Sequence, residues 1–196
     1  DAEEVMVETV ADGFEDDVAL LERITLINSG SHNHAGVRAV ADVLAPEFAA
    51  LGFDVEWIDQ SAQGRAGHLF ARHEGVPGTT KMLLIGHLDT VFEPGSPFTG
   101  FLREGDRATG PGVVDDKGGI VVILAALRAM PEGEDGLIAR AVDMLIDERR
   151  LSPETEAALA ETLGTPVITT IAGKGVVSNG HPQFAGSMIA DPDVRA

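Results

Sequence analysis

An uninterrupted apolar run at residues 82–85, Met-Leu-Leu-Ile, decides the architecture of this chain. A run of this length is typical of a strand that is buried on both faces of a parallel sheet. It leads directly into Gly86-His87-Leu88-Asp89-Thr90, so polar side chains follow the strand where it ends. In open α/β sheets, ligands bind beyond the carboxyl ends of the strands. The sequence therefore predicts a binding site at this segment.

Further helices and strands alternate along the chain. Apolar residues at helical spacing predict a surface helix that begins near Phe14 and ends near Ile27, and a second helix over about 35–51. The other predicted elements are strands at 53–58, 68–72, 142–146 and 167–171, and helices at 120–130 and 152–163. This repeated βαβ order predicts an α/β protein with a layered, mostly parallel sheet and helices on both faces.

The composition excludes several classes of function. The chain has no cysteine, which excludes disulfides, thiolate zinc sites and cysteine nucleophiles. Acidic residues outnumber basic residues 32 to 14, and the net charge of −18 would repel nucleic acids and anionic membranes. No apolar run approaches the ~20 residues that cross a bilayer, and no basic leader begins the sequence. We therefore expect a soluble protein that binds neither nucleic acid nor membrane. The compartment is left open, with the cytoplasm favoured.

Polar clusters lie at three of the predicted strand and helix ends. His87 and Asp89 follow the strand at 82–85, Asp115 lies in the glycine-rich loop 110–119, and Glu148 follows the strand at 142–146. Without cysteine, imidazole and carboxylate groups are the ligands available to a divalent transition metal. These four residues are therefore the candidates for a metal site.

The spacing of these candidates suggests a role for each of them. His87 and Asp89 are two apart on an extended segment and point the same way, so Asp89 can accept the imidazole N–H that faces away from a metal. Asp115 has two carboxylate oxygens and can bridge two metals. Glu148 can act as the general base that takes a proton from water.

Each of these residues also has an ordinary structural interpretation. His87, Asp89 and Asp115 can be satisfied polar residues at strand ends, and Glu148 can be a solvent-facing acid beside two arginines. The neighbours Asp116 and Lys117 are expected to fix the loop rather than to bind metal.

At these residues the sequence resembles the zinc-dependent exopeptidases and amidohydrolases, which include glutamate carboxypeptidase, aminoacylase, and the acetylornithine and succinyl-diaminopimelate deacylases. The matching segments are 83–92 (LLIGHLDTVF) and 110–119 (GPGVVDDKGG), and the resemblance covers about residues 15–148. It implies the following roles and geometry: His87 as a zinc ligand, Asp89 as its orienting partner, Asp115 as the bridging ligand, Glu148 as the catalytic acid or base, and a cis peptide bond between Asp115 and Asp116.

The sequence departs from this family after Glu148. The family has a second, metal-binding glutamate at the next position, where this chain has Arg149, and residues 167–171 carry no acid. Residues 152–190 instead resemble the central domain of thiamine diphosphate-dependent enzymes, through TPVITT, GKG and HPQFAG. We therefore divide the chain into a catalytic half-domain at 1–150 and an α/β segment at 151–196, which either completes the same sheet or derives from another protein.

Two functions of different classes follow. The family resemblance implies a zinc-dependent hydrolase that cleaves an amide bond in a small peptide or N-acyl amino acid, with one or two Zn²⁺ ions and Co²⁺ as a substitute. The incomplete ligand set supports the alternative, a non-catalytic α/β fragment with at most one weak metal site. A third hypothesis is a binding module related to the thiamine enzymes. An unpaired sheet edge would also allow a homo-oligomer to form.

Overall fold

The structure, a computed structural model, describes residues 2–74, 82–130, 142–147, 167–169 and 184–187. The helices in these ranges are α1 (Ala2–Thr25), α2 (His34–Ala50) and α3 (Lys117–Ala129), with one 3₁₀ turn at Ser61–Gln63. The strands are β1 (Asp54–Asp59), β2 (Gly67–His73), β3 (Met82–His87), β4 (Leu102–Glu104), β5 (Arg107–Thr109), β6 (Val142–Asp147), β7 (Val167–Thr169) and β8 (Phe184–Ser187).

Six of these strands form one mixed sheet in the order β1-β2-β6-β3-β7-β8. The pairs β1/β2 and β2/β6 are antiparallel, whereas β6/β3, β3/β7 and β7/β8 are parallel. The α/β class with a mostly parallel sheet is therefore confirmed. Strand β3 lies inside the parallel part, between β6 and β7, as its apolar run predicts.

One hydrophobic core joins the three helices to the sheet. Wholly buried side chains from each helix, such as Ile24, Phe48 and Leu124, pack in the same cluster as Leu69 of β2 and Leu84 of β3. Burying a side chain of this size contributes about 1.5–3 kcal/mol. The helices thereby fix the sheet from one side.

The opposite face of β3 is also buried. Leu83 is 0% exposed and Ile85 is 7% exposed, and because strand side chains alternate, they point away from the side that carries Leu84. This two-sided burial explains why the run at 82–85 is apolar throughout. The predicted helix 152–163 lies outside the described residues.

The structure differs from the predicted elements in three places. Helix α1 begins at Ala2, well before the predicted start near Phe14, because the acidic first dozen residues contain no glycine or proline and include alanine, methionine and glutamate, which favour helix. The hairpin β4/β5 was not predicted, and its strands of three residues each are too short and too exposed for an alternating apolar pattern. Strand β8 was not predicted either.

None of the helices in the described ranges combines the length and the apolar character that a membrane span requires.

Candidate metal centre

His87 is the last residue of β3 and lies at the carboxyl end of the parallel part of the sheet. It is 5% exposed, and the next two residues, Leu88 and Asp89, are 0% and 1% exposed. The backbone of His87 pairs with Asp147, the last residue of β6. Two parallel strands therefore end side by side here, where ligands bind in sheets of this kind.

Both ring nitrogens of His87 face oxygen atoms. The Nδ1–H donates to the backbone oxygen of Asp89 at 3.0 Å, and Asp89 Oδ1 lies 3.2 Å from the same nitrogen. On the other side of the ring, Nε2 lies 2.9 Å from Asp115 Oδ1. Asp89 thus holds one edge of the imidazole, and the opposite edge is directed at Asp115.

The charge around His87 favours its protonated form. Burial alone would lower the pKa of the imidazole, but the hydrogen bond with Asp89 and the charges of Asp116, Asp89 and Asp115 outweigh it. The pKa of His87 is therefore raised above its ordinary value. A pocket of negative charge that stabilises an imidazolium also attracts a metal cation.

Asp115 reaches His87 from the glycine-rich loop that precedes α3. The peptide bond between Asp115 and Asp116 is cis, which agrees with the expectation from the family resemblance. The side chain of Asp115 is 37% exposed, whereas that of His87 is 6% exposed. The carboxylate therefore meets the imidazole at the border between the protein interior and solvent.

Asp116 fixes this loop against the end of β3. It is 2% exposed, and its Oδ2 accepts a hydrogen bond from the backbone N–H of His87 at 3.3 Å. A Cβ atom at Gly86 would lie 2.8 Å from that oxygen, and one at Gly119 would overlap Oδ1. The two glycines therefore leave the space that the buried carboxylate occupies.

Lys117 ties the same loop to the end of α1. Its side chain is 0% exposed, and its Nζ donates to the backbone oxygens of Ile24 and Ile27 at 2.8 and 2.9 Å. Burial lowers the pKa of Lys117 to about 8. Lys117 and Asp116 thus both hold the loop in place through their contacts, as the sequence predicts.

Residues 28–31, a polar Asn-Ser-Gly-Ser segment between α1 and α2, contact the segment that follows β3. Ser31 Oγ donates a short hydrogen bond to Asp89 Oδ2, and Ser29 Oγ donates to the backbone oxygen of Leu88 at 2.9 Å. Gly30 forms an isolated parallel bridge with Thr90. These contacts join residues about sixty positions apart. The one signal for them in the sequence is the polar run Asn-Ser-Gly-Ser itself, whose side chains can form hydrogen bonds.

A cavity of about 340 Å³ opens beside Asp115. Most of its lining is apolar and comes from the segment after Asp89, from β5 and from the glycine-rich loop: Val91, Phe92, Phe98, Ala108, Val113 and Val114. The rings of Phe92 and Phe98 contact each other, with centroids 4.8 Å apart. The site therefore has an adjoining space for an apolar group.

Of the predicted site residues, the structure brings together His87, Asp89 and Asp115. Glu148 lies outside the described residues, one position beyond Asp147, which pairs with His87. Arg149 also lies outside them. Among the side chains that the structure describes, no group of three or more histidines or acids is arranged to hold a metal ion.

The donor chemistry of His87 and Asp115 nevertheless suits zinc. One imidazole nitrogen and one carboxylate oxygen converge, and imidazole and carboxylate are common zinc ligands. The remaining ring nitrogen is held by an acid, which is the arrangement that orients metal-ligating histidines. These two residues therefore fit part of a zinc coordination shell.

Comparison with known proteins supports a resemblance to one class of enzymes. Residues 83–139 match the profile of Peptidase family M20/M25/M40. This match covers both motifs, His87 to Asp89 and Asp115 to Gly119, and confirms the resemblance to the zinc-dependent exopeptidases. The predicted resemblance of residues 152–190 to thiamine enzymes finds no support in these comparisons.

The individual relatives belong to the same class. The chain is 34% identical over 119 residues to carboxypeptidase G2 of Pseudomonas sp. (strain RS-16), an alignment that covers 59% of this chain and 28% of that protein. It is 36% identical over 102 residues to the succinyl-diaminopimelate desuccinylase of Acidiphilium cryptum, which covers 50% of this chain and 26% of that protein. The chain thus spans less than a third of the length of these curated relatives.

The fold agrees with solved structures of the class. Human carnosine dipeptidase 1 superposes with a TM-score of 0.67 at 17% identity, over 87% of this chain and 41% of that chain. This likeness shows that the chain shares the fold of the corresponding part of that protein.

Proposed function

We propose that this chain carries half of the catalytic site of a zinc-dependent hydrolase that cleaves an amide bond in a small peptide or N-acyl amino acid. The observation that carries the proposal is the 2.9 Å approach of His87 Nε2 to Asp115 Oδ1 at the carboxyl end of β3. The relatives support the reaction class, since one is a carboxypeptidase and another a desuccinylase.

His87 and Asp115 would hold zinc, one ion or two with Asp115 as the bridge, and Co²⁺ is the proposed substitute. A bound zinc ion supplies Lewis-acid chemistry: it polarises a carbonyl oxygen and makes water a stronger nucleophile. Asp89 keeps Nδ1 of His87 protonated, so that Nε2 is the nitrogen available as a ligand.

The proton would be moved by Glu148. Water adds its oxygen to the carbonyl carbon while Glu148 takes the proton, and the C–N bond then breaks as the amine accepts that proton. The position of Asp147, paired with His87 at the end of β6, supports placing Glu148 near the centre. The apolar cavity beside Asp115 supports a substrate with an apolar group next to the scissile amide.

The alternative function is a non-catalytic fragment that binds at most one metal ion weakly. Two observations favour it: the described side chains offer only His87 and Asp115 as a convergent pair, and Arg149 stands where the family has a second metal-binding glutamate. A guanidinium is always charged and cannot ligate zinc.

Metal binding and turnover distinguish the two functions. Zinc titration by calorimetry, with the metal-free protein, should give binding that His87→Asn abolishes and that His73→Asn leaves intact, because His73 pairs with Val142, at the opposite end of β6 from the residue that pairs with His87. Hydrolysis of N-acyl amino acids with zinc or cobalt should disappear in Glu148→Gln. Light scattering would show whether the active species is a homo-oligomer.

Each outcome has a definite meaning. Zinc binding together with turnover that Glu148→Gln removes supports the hydrolase. One weak zinc site with no metal-dependent turnover by the unmodified protein supports the non-catalytic fragment. An unchanged zinc affinity in His87→Asn would contradict both.

A further inference from the structure

We infer that Ser31 is a positioning residue of the proposed zinc centre, acting on His87 through Asp89. This inference rests on the proposed function. The carboxylate of Asp89 connects the two residues: Oδ2 accepts the Ser31 hydroxyl, and Oδ1 lies 3.2 Å from His87 Nδ1. A single buried carboxylate thus joins a hydroxyl from the α1–α2 loop to the imidazole at the end of β3.

The backbone around Ser31 holds its hydroxyl in place. The N–H of Ser31 donates to the backbone oxygen of Thr90 at 3.0 Å, and the N–H of Thr90 donates to the backbone oxygen of Ser29 at 2.8 Å. These two bonds form a short parallel bridge between the loop and the segment that follows β3. Ser31 therefore approaches Asp89 from a fixed backbone rather than from a free loop.

Because Asp89 is buried, loss of the hydrogen bond from Ser31 should affect the imidazole of His87. Asp89 is 1% exposed, so water has little access to replace a donor that is removed from its carboxylate. A carboxylate that has lost one of its donors can rotate more freely, and the imidazole that it orients then loses part of its alignment. Residues that orient a metal-ligating histidine typically change metal affinity by 10–100-fold when they are replaced.

The chain offers a matched control in Ser29. Its Oγ also donates a hydrogen bond in the same loop, but the acceptor is the backbone oxygen of Leu88 rather than a carboxylate. Ser29 is 1% exposed, so Ser29→Ala removes a buried hydroxyl of the same kind. A purely structural role of this loop would affect both serine variants alike.

The first test uses the metal-free protein and NMR of the His87 Nδ1–H proton, assigned by its loss in His87→Asn. We expect a slowly exchanging signal in the unmodified protein, in Ser31→Thr and in Ser29→Ala, and faster exchange with water in Ser31→Ala. Thr keeps the hydroxyl, so its variant tests rescue. If Ser31→Ala does not fold, Ser31→Cys, which has a weaker donor, should give the same change to a smaller degree.

The second test is zinc titration of the same variants. Ser31→Ala should bind zinc roughly tenfold more weakly than the unmodified protein, whereas Ser31→Thr and Ser29→Ala should bind it equally well. The inference is overturned if Ser31→Ala leaves both the proton signal and the zinc affinity unchanged, or if Ser29→Ala changes them as much. If the unmodified protein binds no zinc, the proposed function fails, and the NMR measurement alone then decides the role of Ser31.

Discussion

The two candidate ligands face each other, but the protein holds them in opposite ways. The side chain of His87 is 6% exposed and is surrounded by Asp89, the end of β3 and the core, whereas the side chain of Asp115 is 37% exposed and borders the cavity. The half of the site around His87 is therefore part of the folded interior, and the half at Asp115 is open to an incoming ligand. Replacements in the first half should cost stability, and replacements in the second should cost ligand binding.

The largest loss of stability is expected for Lys117→Met. The variant keeps the length of the side chain but removes the donor that serves the backbone oxygens of Ile24 and Ile27, both of which lie where α1 ends. We expect a decrease of about 2–4 kcal/mol in the free energy of unfolding, measured by urea denaturation. The exposed Arg38→Met is the control and should have a much smaller effect. A Lys117→Met variant as stable as the unmodified protein would contradict this view of the loop.

Replacement of glycine by alanine should change the free energy of unfolding by a smaller amount. The change should have opposite signs at two helical glycines. At Gly119 of α3 the added Cβ would overlap Asp116 Oδ1, so Gly119→Ala should lower stability by about 1–3 kcal/mol. At Gly13 of α1 the nearest atom would be 3.8 Å away, so Gly13→Ala should raise stability by about 0.5–1 kcal/mol. Thermal denaturation of both variants measures the difference. If both replacements stabilise the protein, Asp116 is not confined by Gly119.

The smallest effect on stability is expected for Asp115→Asn. Because the carboxylate is partly exposed, we expect the free energy of unfolding to change by about 1 kcal/mol or less. The same variant should bind zinc much more weakly, since an amide oxygen is a poorer ligand than a carboxylate. Urea denaturation and zinc titration on one preparation check both statements. A large loss of stability would show that Asp115, like His87, is part of the folded interior.

The sequence predicted the parts of this molecule that depend on local patterns. Strand β3 was found from four apolar residues, and α3 from apolar residues that recur around the helix. His87, Asp89 and Asp115 were found because their order along the chain matches a known family. These features are readable since each is contained within about ten residues.

The remaining features depend on contacts between distant segments. The bond between Ser31 and Asp89 joins residues 58 positions apart, and the bonds of Lys117 reach residues 93 and 90 positions away. The partners of Ser31 and Lys117 cannot be read from the sequence, because they lie far away along the chain. The site roles of His87, Asp89, Asp115 and Glu148, and the division near residue 150, remain predictions.

The place of β6 in the sheet has a consequence for how the protein is made. Strands β2 and β3 are neighbours along the chain, yet β6, at 142–147, lies between them. While the polypeptide is being synthesised, the β1/β2 hairpin and β3 have no common partner until residue 147 has left the ribosome. Pairings of such wide separation form slowly and leave strand edges uncovered in the meantime. The nascent chain therefore passes through a stage at which the facing edges of β2 and β3 are exposed to chaperones and to other copies of itself.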